Sequence, residues 1–378
     1  MAVKIDKLLG DFKMTKRFLI VLGLLLLAIS VFAPVQAQDG EVEDTLTVLC
    51  TPQDDWCVAM TQAFEEETGI ETDFVRLSSG ESLARVRAGA DDPEFSVWWG
   101  GPADAFIAAN EEGLLEEFTT DAVIIPEQYR SEDGSWTGVY VGALGFCSNV
   151  ELLEELGVDP PTSWQDLLNP ALAQNIAVAH PATSGTSFTA FWTNVTLAAD
   201  RLEAEEAGAG YDENGFPTQA AIDAAFDYYK ELNNNILQYT RSGSAPGRMA
   251  GNGEVAVGII FSHDCVKLQQ EGFADILVNT FPEEGTGWEI GGMGIIKGGP
   301  EPNAARVWYE WALTPEAQAI GATVNALQLP TNPDTPVPEL SVKLEEVNLV
   351  DYNFVAAGLN RVAITERFDE EIAVTPTE

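Results

Sequence analysis

Residues 72–90, TDFVRLSSGESLARVRAGA, change character in the middle. TDFVR reads as a strand, S-S-G as a turn, and the remainder as a helix. A helix N-terminus presents unpaired backbone N–H groups and the positive end of a dipole, so it can hold an anion. Ser and Gly at such a place serve equally as ordinary capping and turn residues. The stretch T-S-G-T-S at 183–187 repeats the arrangement, and R-S-G-S-A-P-G-R at 241–248 gives a third Ser/Gly turn before a short helix.

Outward from these turns, short apolar strands alternate with amphipathic helices, the pattern of α/β layers. TLTVLC (45–50), TDFVR and FSVWWGG (95–101) are each followed by a helix, the last being ADAFIAANEEG (103–113). Loops at the carboxyl ends of such strands are where open α/β sheets bind ligands. GVYVGALGFC (138–147) is a glycine-bearing strand leading into a second segment, where NIAVAH runs into the T-S-G-T-S turn. GEVAVGIIF (253–261) mirrors it and ends at S-H-D-C. Strands DILVNTF and WEIGGMGIIKG follow, then closing helices. Two glycine-bearing strands joining two α/β segments imply two lobes with more than one crossing, and a hinge between them.

Residues 14–37, MTKRFLIVLGLLLLAISVFAPVQA, have a basic start, an apolar run and small residues before Gln38, as an export signal does. A membrane anchor is the alternative, since the apolar run is only slightly shorter than the ~17–25 residues a bilayer needs. The exported chain is long enough for two α/β domains. The formal net charge is −41, from 19 Lys and Arg against 60 Asp and Glu. That excludes nucleic acid and anionic membrane surfaces as partners, because both need a positive face. An anionic ligand would be held against the overall field by local donors. Four cysteines in an oxidising compartment imply two disulfides. Of three possible pairings, Cys50–Cys57 with Cys147–Cys265 is favoured; the spacings do not match the paired short spacings of zinc sites.

Taken in order, R-L-S-S-G-E with R-V-R-A, W-W-G-G-P-A-D, S-G-S-A-P-G-R, G-E-V-A-V-G-I-I-F-S-H-D, W-E-I-G-G-M-G-I-I-K-G-G-P and Q-L-P-T-N-P resemble the type II periplasmic solute-binding proteins. The branch is the ferric-ion-like group that includes hexose-phosphate and phosphonate binders. The resemblance implies an α/β, two-lobed periplasmic-binding-protein type II fold, each lobe a mostly parallel sheet flanked by helices. It implies a monomeric receptor that delivers a small solute to the membrane subunits of an ABC permease, without cofactor or catalysis. The expected layout is a signal at 1–37, a first lobe from 44–137, hinge strands and a second lobe from 138–267, a return to the first lobe at 268–318, and C-terminal helices across both at 319–378.

Ferric-ion binders place a tyrosine pair after the strand corresponding to GEVAVGIIF; this chain has Ser262-His263-Asp264 there. Its Tyr228-Tyr229 pair lies in a helical pattern, so iron, which wants hard oxygen donors, becomes the alternative. Hexose-phosphate binders resemble the chain at this place, and the resemblance assigns sugar hydroxyls to His263, Asp264 and Glu289, with Trp98 and Asp104 on the same polar side. The anion would be clamped by Ser78, Ser79 and Gly80 from one lobe. Thr183, Ser184, Gly185, Thr186, Ser242, Ser244 and Ala245 would face them from the other. Arg241 and Arg248 flank the third turn. Trp56, Trp98 and Trp288 are candidates to stack on a sugar face or to pack in the core. No P-loop, HExxH or G-x-S-x-G is present, so hydrolysis stays a distant alternative. Asn194-Val195-Thr196 fits a glycosylation triplet but falls within a helical pattern.

Overall fold

The computed structural model describes residues 41–376, so the expected export signal lies outside the described residues. The first segment runs β1 (Thr45–Cys50), α1 (Asp54–Thr68), β2 (Glu71–Arg76), α2 (Ser79–Ala88), β3 (Val97–Pro102), α3 (Ala103–Glu111) and β4 (Leu115–Glu116). The second runs β5 (Thr137–Asn149), α4 (Val150–Leu156), β6 (Ile176–Ala179), α5 (Gly185–Glu205), α6 (Gln219–Leu232), β7 (Ile236–Thr240), α7 (Ala245–Gly251), β8 (Val257–Phe261), α8 (Ser262–Leu268) and β9 (Leu277–Thr280). The third runs β10 (Trp288–Ile296), α9 (Pro302–Ala312), α10 (Pro315–Thr323), β11 (Leu329–Pro330) and α11 (Phe354–Glu371).

One strand organises all of this. β5 is 13 residues long and buried throughout, and its two ends belong to different sheets. Residues 137–143 pair with β10 in the sheet ordered β2-β1-β3-β10-β5, with β11 on the other side. Residues 144–149 pair with β8 and β9 in the sheet ordered β5-β8-β6-β7. The parallel pairs β1/β2, β1/β3, β6/β7 and β6/β8 lie away from the joint. Antiparallel pairs are contributed by the strands with which the chain crosses and returns.

The return comes later than the sequence suggests. Residues 268–280 still belong to the second half, because β9 pairs with Phe146–Asn149; the first half resumes only at Trp288. Of the C-terminal helices, α10 joins the first core through Ala317, and α11 alone spans both halves. Gly358 of α11 lies so close to Ile107 and Asp104 of α3 that a Cβ would meet them at 2.6–2.9 Å. Ala356, Ala357, Ile364 and Phe368 of the same helix enter the second core with Phe188, Phe191 and Phe226.

The aromatic residues that make these cores account for most of the tryptophans. Trp56, Trp99 and Trp308 pack with Phe64 beneath the first sheet, and Trp164 and Trp192 lie in the second core. Full burial of each such ring contributes a few kcal/mol. Tyr229 is buried against Phe191 and Phe368, and the Tyr228 hydroxyl donates to the carbonyl of Trp164 at 2.6 Å; the pair is a packed helix face. Disulfides join Cys50 to Cys57 and Cys147 to Cys265. The second ties β5 to the first turn of α8 across 118 residues, and closing a ring of that length stabilises by up to about 5 kcal/mol on chain-entropy grounds.

Candidate functional site

The carboxyl ends of β1, β2 and β3 face those of β6, β7 and β8 across a cleft. α2 begins there with a capping box: Ser78 bonds the third helical amide while the Glu81 carboxylate accepts from the Ser78 amide at 3.2 Å. Glu81 also accepts from Arg241 of the opposite half. Burial pushes the Glu81 carboxyl up, but the bonds from Ser78 and Arg241 outweigh it and hold the group below the usual carboxylate range. α5 begins opposite without a side-chain cap, so its first turn points into the cleft at Ser184, Gly185 and Thr186.

The space between them is small, about 60 Å³. Ten of the predicted residues line it: Ser78, Ser79, Ser184, Gly185, Thr186, Ser242, Ser244, His263, Asp264 and Glu289. The hydroxyls of Ser79, Ser184 and Thr186 take no hydrogen-bond partner among the described residues. A wider hollow of about 610 Å³ adjoins it, sharing Gln53, Ser242, Ser244 and Asp264 as a common wall.

Five predicted residues sit elsewhere. The Gly80 amide donates to the Thr183 carbonyl at 2.9 Å, so both are contacts between the halves. The Thr183 hydroxyl is spent on the carbonyls of His180 and Arg241. Ala245 lines the outer hollow only. Trp98 is fully buried, stacked on Phe106 at 4.2 Å, with its indole N–H donating to Thr51. Asp104 is fully buried on α3 in an ion pair with Arg361 of α11. Burial pushes the Asp104 carboxyl up to about 6 against the pull of Arg361. Neither Trp56 nor Trp288 faces the cleft: Trp56 packs on Trp99 and Tyr140, and Trp288 meets Phe354 edge-on. Arg248 pairs with Glu271 on an exposed edge.

Sequence reasoning missed Arg76, Gln53, Thr51, Tyr140 and Gln328, which also line the cleft. Arg76 is the only cation among the lining residues; its Nε donates to the Pro52 carbonyl at 3.0 Å. Tyr140 accepts at its hydroxyl from the Gly101 amide at 2.9 Å. Gly101 itself needs its positive φ of 93°, and a Cβ there would stand 2.8 Å from the Ser79 hydroxyl.

Three buried titratable groups line the same cavity. His263 Nε2 lies 3.9 Å from Glu289 Oε1 and 4.0 Å from Asp264 Oδ2, too far for hydrogen bonds. Its Nδ1 is buried without a partner, and its ring stacks on Phe261. Asp264 accepts from the Gln53 amide across the cleft. Burial, then Lys267, lowers the His263 pKa to about 3, so the ring is neutral. Burial raises Asp264 to about 7 against Lys267 and Arg76. Burial, with Asp264 and Asp104 adding repulsion, raises Glu289 well above the ordinary carboxylate range. The cavity lining thus combines hydroxyls, helix N-termini and a guanidinium with three buried groups that can accept and donate hydrogen bonds.

Residues 59–345 match the description "Bacterial extracellular solute-binding protein". A Haemophilus influenzae protein described only as uncharacterized is 32% identical over 336 residues, covering 86% of this chain and 90% of its own. Among solved structures, the periplasmic binding protein AfuA from Actinobacillus pleuropneumoniae, with exogenous fructose-6-phosphate bound, is 32% identical with a TM-score of 0.77. The alignment covers 87% of this chain and 98% of that one. Iron-bound HitA from Pseudomonas aeruginosa is 16% identical with a TM-score of 0.67, covering 85% and 98%, a likeness of fold.

Proposed function

This chain belongs to the bacterial extracellular solute-binding proteins, and from that premise we propose that its solute is a small phosphorylated molecule, a sugar phosphate first of all. The observation that carries the reading is the meeting of two chemistries in the lining of one cavity. The phosphate lies at the Ser79 and Gly185 helix starts, with the hydroxyls of Ser79, Ser184 and Thr186 and the guanidinium of Arg76 around it. Dipoles and a single full charge hold it there against the overall negative field. Sugar hydroxyls lie between His263, Asp264 and Glu289, whose separations of 3.9–4.0 Å leave room for a bridging group. AfuA, with its bound fructose-6-phosphate, supports the choice of ligand class.

Each half supplies part of the site, so the solute binds the closed arrangement better and shifts the protein towards it. Both halves line the cavity of about 60 Å³, so moving them apart enlarges it for a solute to enter. Release to an ABC permease is the step this serves. Calorimetric titration with fructose 6-phosphate, fructose and inorganic phosphate tests the assignment. The sugar phosphate should bind far more tightly than either part. Equal binding of uncharged fructose, or tight binding of ferric ion with no response to sugar phosphate, overturns it.

A further inference from the structure

We propose that His180 is a positioning residue through which the C-terminal tail sets the shape of the 182–186 loop. The inference rests on the reading of that loop as part of the solute site.

His180 directly follows β6, and its imidazole is fully buried, edge-on to Phe368 at 5.1 Å and Tyr239 at 6.0 Å. Its ring nitrogens touch both the loop and the tail, and Nδ1 also lies 3.5 Å from the Thr375 hydroxyl of the tail. Nδ1 lies 3.2 Å from the Ala182 amide, which can only donate. Nε2 lies 2.7 Å from the Ala373 carbonyl, which can only accept, and 3.4 Å from Asp369 Oδ1. These partners fix one neutral tautomer, with the proton on Nε2. The ring therefore accepts from the loop and donates to the tail at once.

Both attachments are themselves anchored. The tail folds back on the end of α11, with Thr375 giving its amide at 2.8 Å and its hydroxyl at 2.6 Å to Asp369. On the loop side, the His180 carbonyl accepts from the Thr183 and Ser184 amides at 3.1 and 2.9 Å, immediately before α5. Ala182 and Thr183 are also where the other half docks, through Gly80. A shift of the loop moves both the α5 start and this docking point.

The test is a double-mutant cycle on affinity for fructose 6-phosphate, with inorganic phosphate as a second probe. His180→Asn keeps an acceptor for Ala182 but loses the donor to the tail; a chain ending at Glu371 removes the acceptor instead. Measured well below the thermal midpoint, where a merely structural destabilisation leaves affinity unmoved, each should weaken binding about three- to tenfold. Combined, they should do no more than either alone. Additive losses, or unchanged affinity in the truncated chain, would overturn the coupling. Amide exchange of residues 181–186 without any solute should rise in both variants. If neither probe binds even the unaltered protein, the solute assignment fails, and the exchange result alone judges the coupling.

Discussion

The backbone amide of Gly80 donates to the carbonyl oxygen of Thr183 at 2.9 Å, so the S-S-G turn of one half rests directly on the loop of the other. A Cβ at Gly80 would stand 2.0 Å from the Ala182 carbonyl oxygen, which backbone cannot relieve without separating the halves. Within α2 itself alanine is a better helix former than glycine. Gly80→Ala should therefore leave the thermal midpoint nearly unchanged while weakening sugar-phosphate binding about tenfold or more. Small-angle scattering should show a protein that stays open when solute is added. Wild-type affinity in this variant would mean the contact plays no part in binding.

Arg76 is the one cation facing the cavity, and its charge should act on the anionic end of a solute. Arg76→Gln should weaken fructose 6-phosphate about ten- to a hundredfold and reduce the salt dependence of binding. A response of fructose as large as that of the sugar phosphate would place Arg76 at the wrong end.

Asp264 has its folded pKa raised from 3.8 to about 7 by burial. A carboxyl shifted in this direction favours the folded state below its unfolded pKa, and that advantage disappears as pH rises from about 4 to 7. Asp264→Asn should accordingly stabilise the protein at pH 8, on the order of 2 kcal/mol, and not at pH 4. The same change should cost affinity for a sugar, since one acceptor becomes a poorer one. Thermal melts at the two pH values decide it: an equal effect at both would remove the titration argument.

The buried Asp104–Arg361 pair joins α3 to α11 and places the guanidinium 4.4 Å over the Phe188 ring. Removing one partner leaves a buried charge unpaired, so Asp104→Asn should cost about 3–5 kcal/mol in urea unfolding. Asp104→Asn with Arg361→Met should cost clearly less than the two single losses added together. Simple additivity would show that the pair is not a coupled unit.

The turns of the site were legible because their signal is local: Ser78-Ser79-Gly80 and Ser184-Gly185-Thr186 announce a strand-to-helix junction within a few residues. Cys147 and Cys265 stood out as the ends of two apolar strands. The remaining cavity residues come from segments with no such punctuation. Thr51 and Gln53 follow β1, Tyr140 lies within β5 and Gln328 precedes β11; only the register of strands brings them together. Arg76 stood beside a recognised turn, but a strand-end arginine carries no mark of where it points. Asp104 was misplaced because its partner lies 257 residues away, and Trp98 because β3 is buried on both faces, so alternation could not say which tryptophan faces the cleft.

The place of β10 has a consequence for the order in which the molecule can assemble. The second sheet draws its strands from 144–280 in one unbroken run, so it is complete when that stretch has emerged. The first cannot close then, because β10 sits between β3 and β5 and arrives only with residues 288–296. Until it does, β3 and the first part of β5 each present a bare strand edge, the kind of surface that recruits foreign strands. During synthesis, the vulnerable interval therefore runs from the emergence of β3 at residue 102 to that of residue 296, and the earliest half of the chain is the last to be sealed.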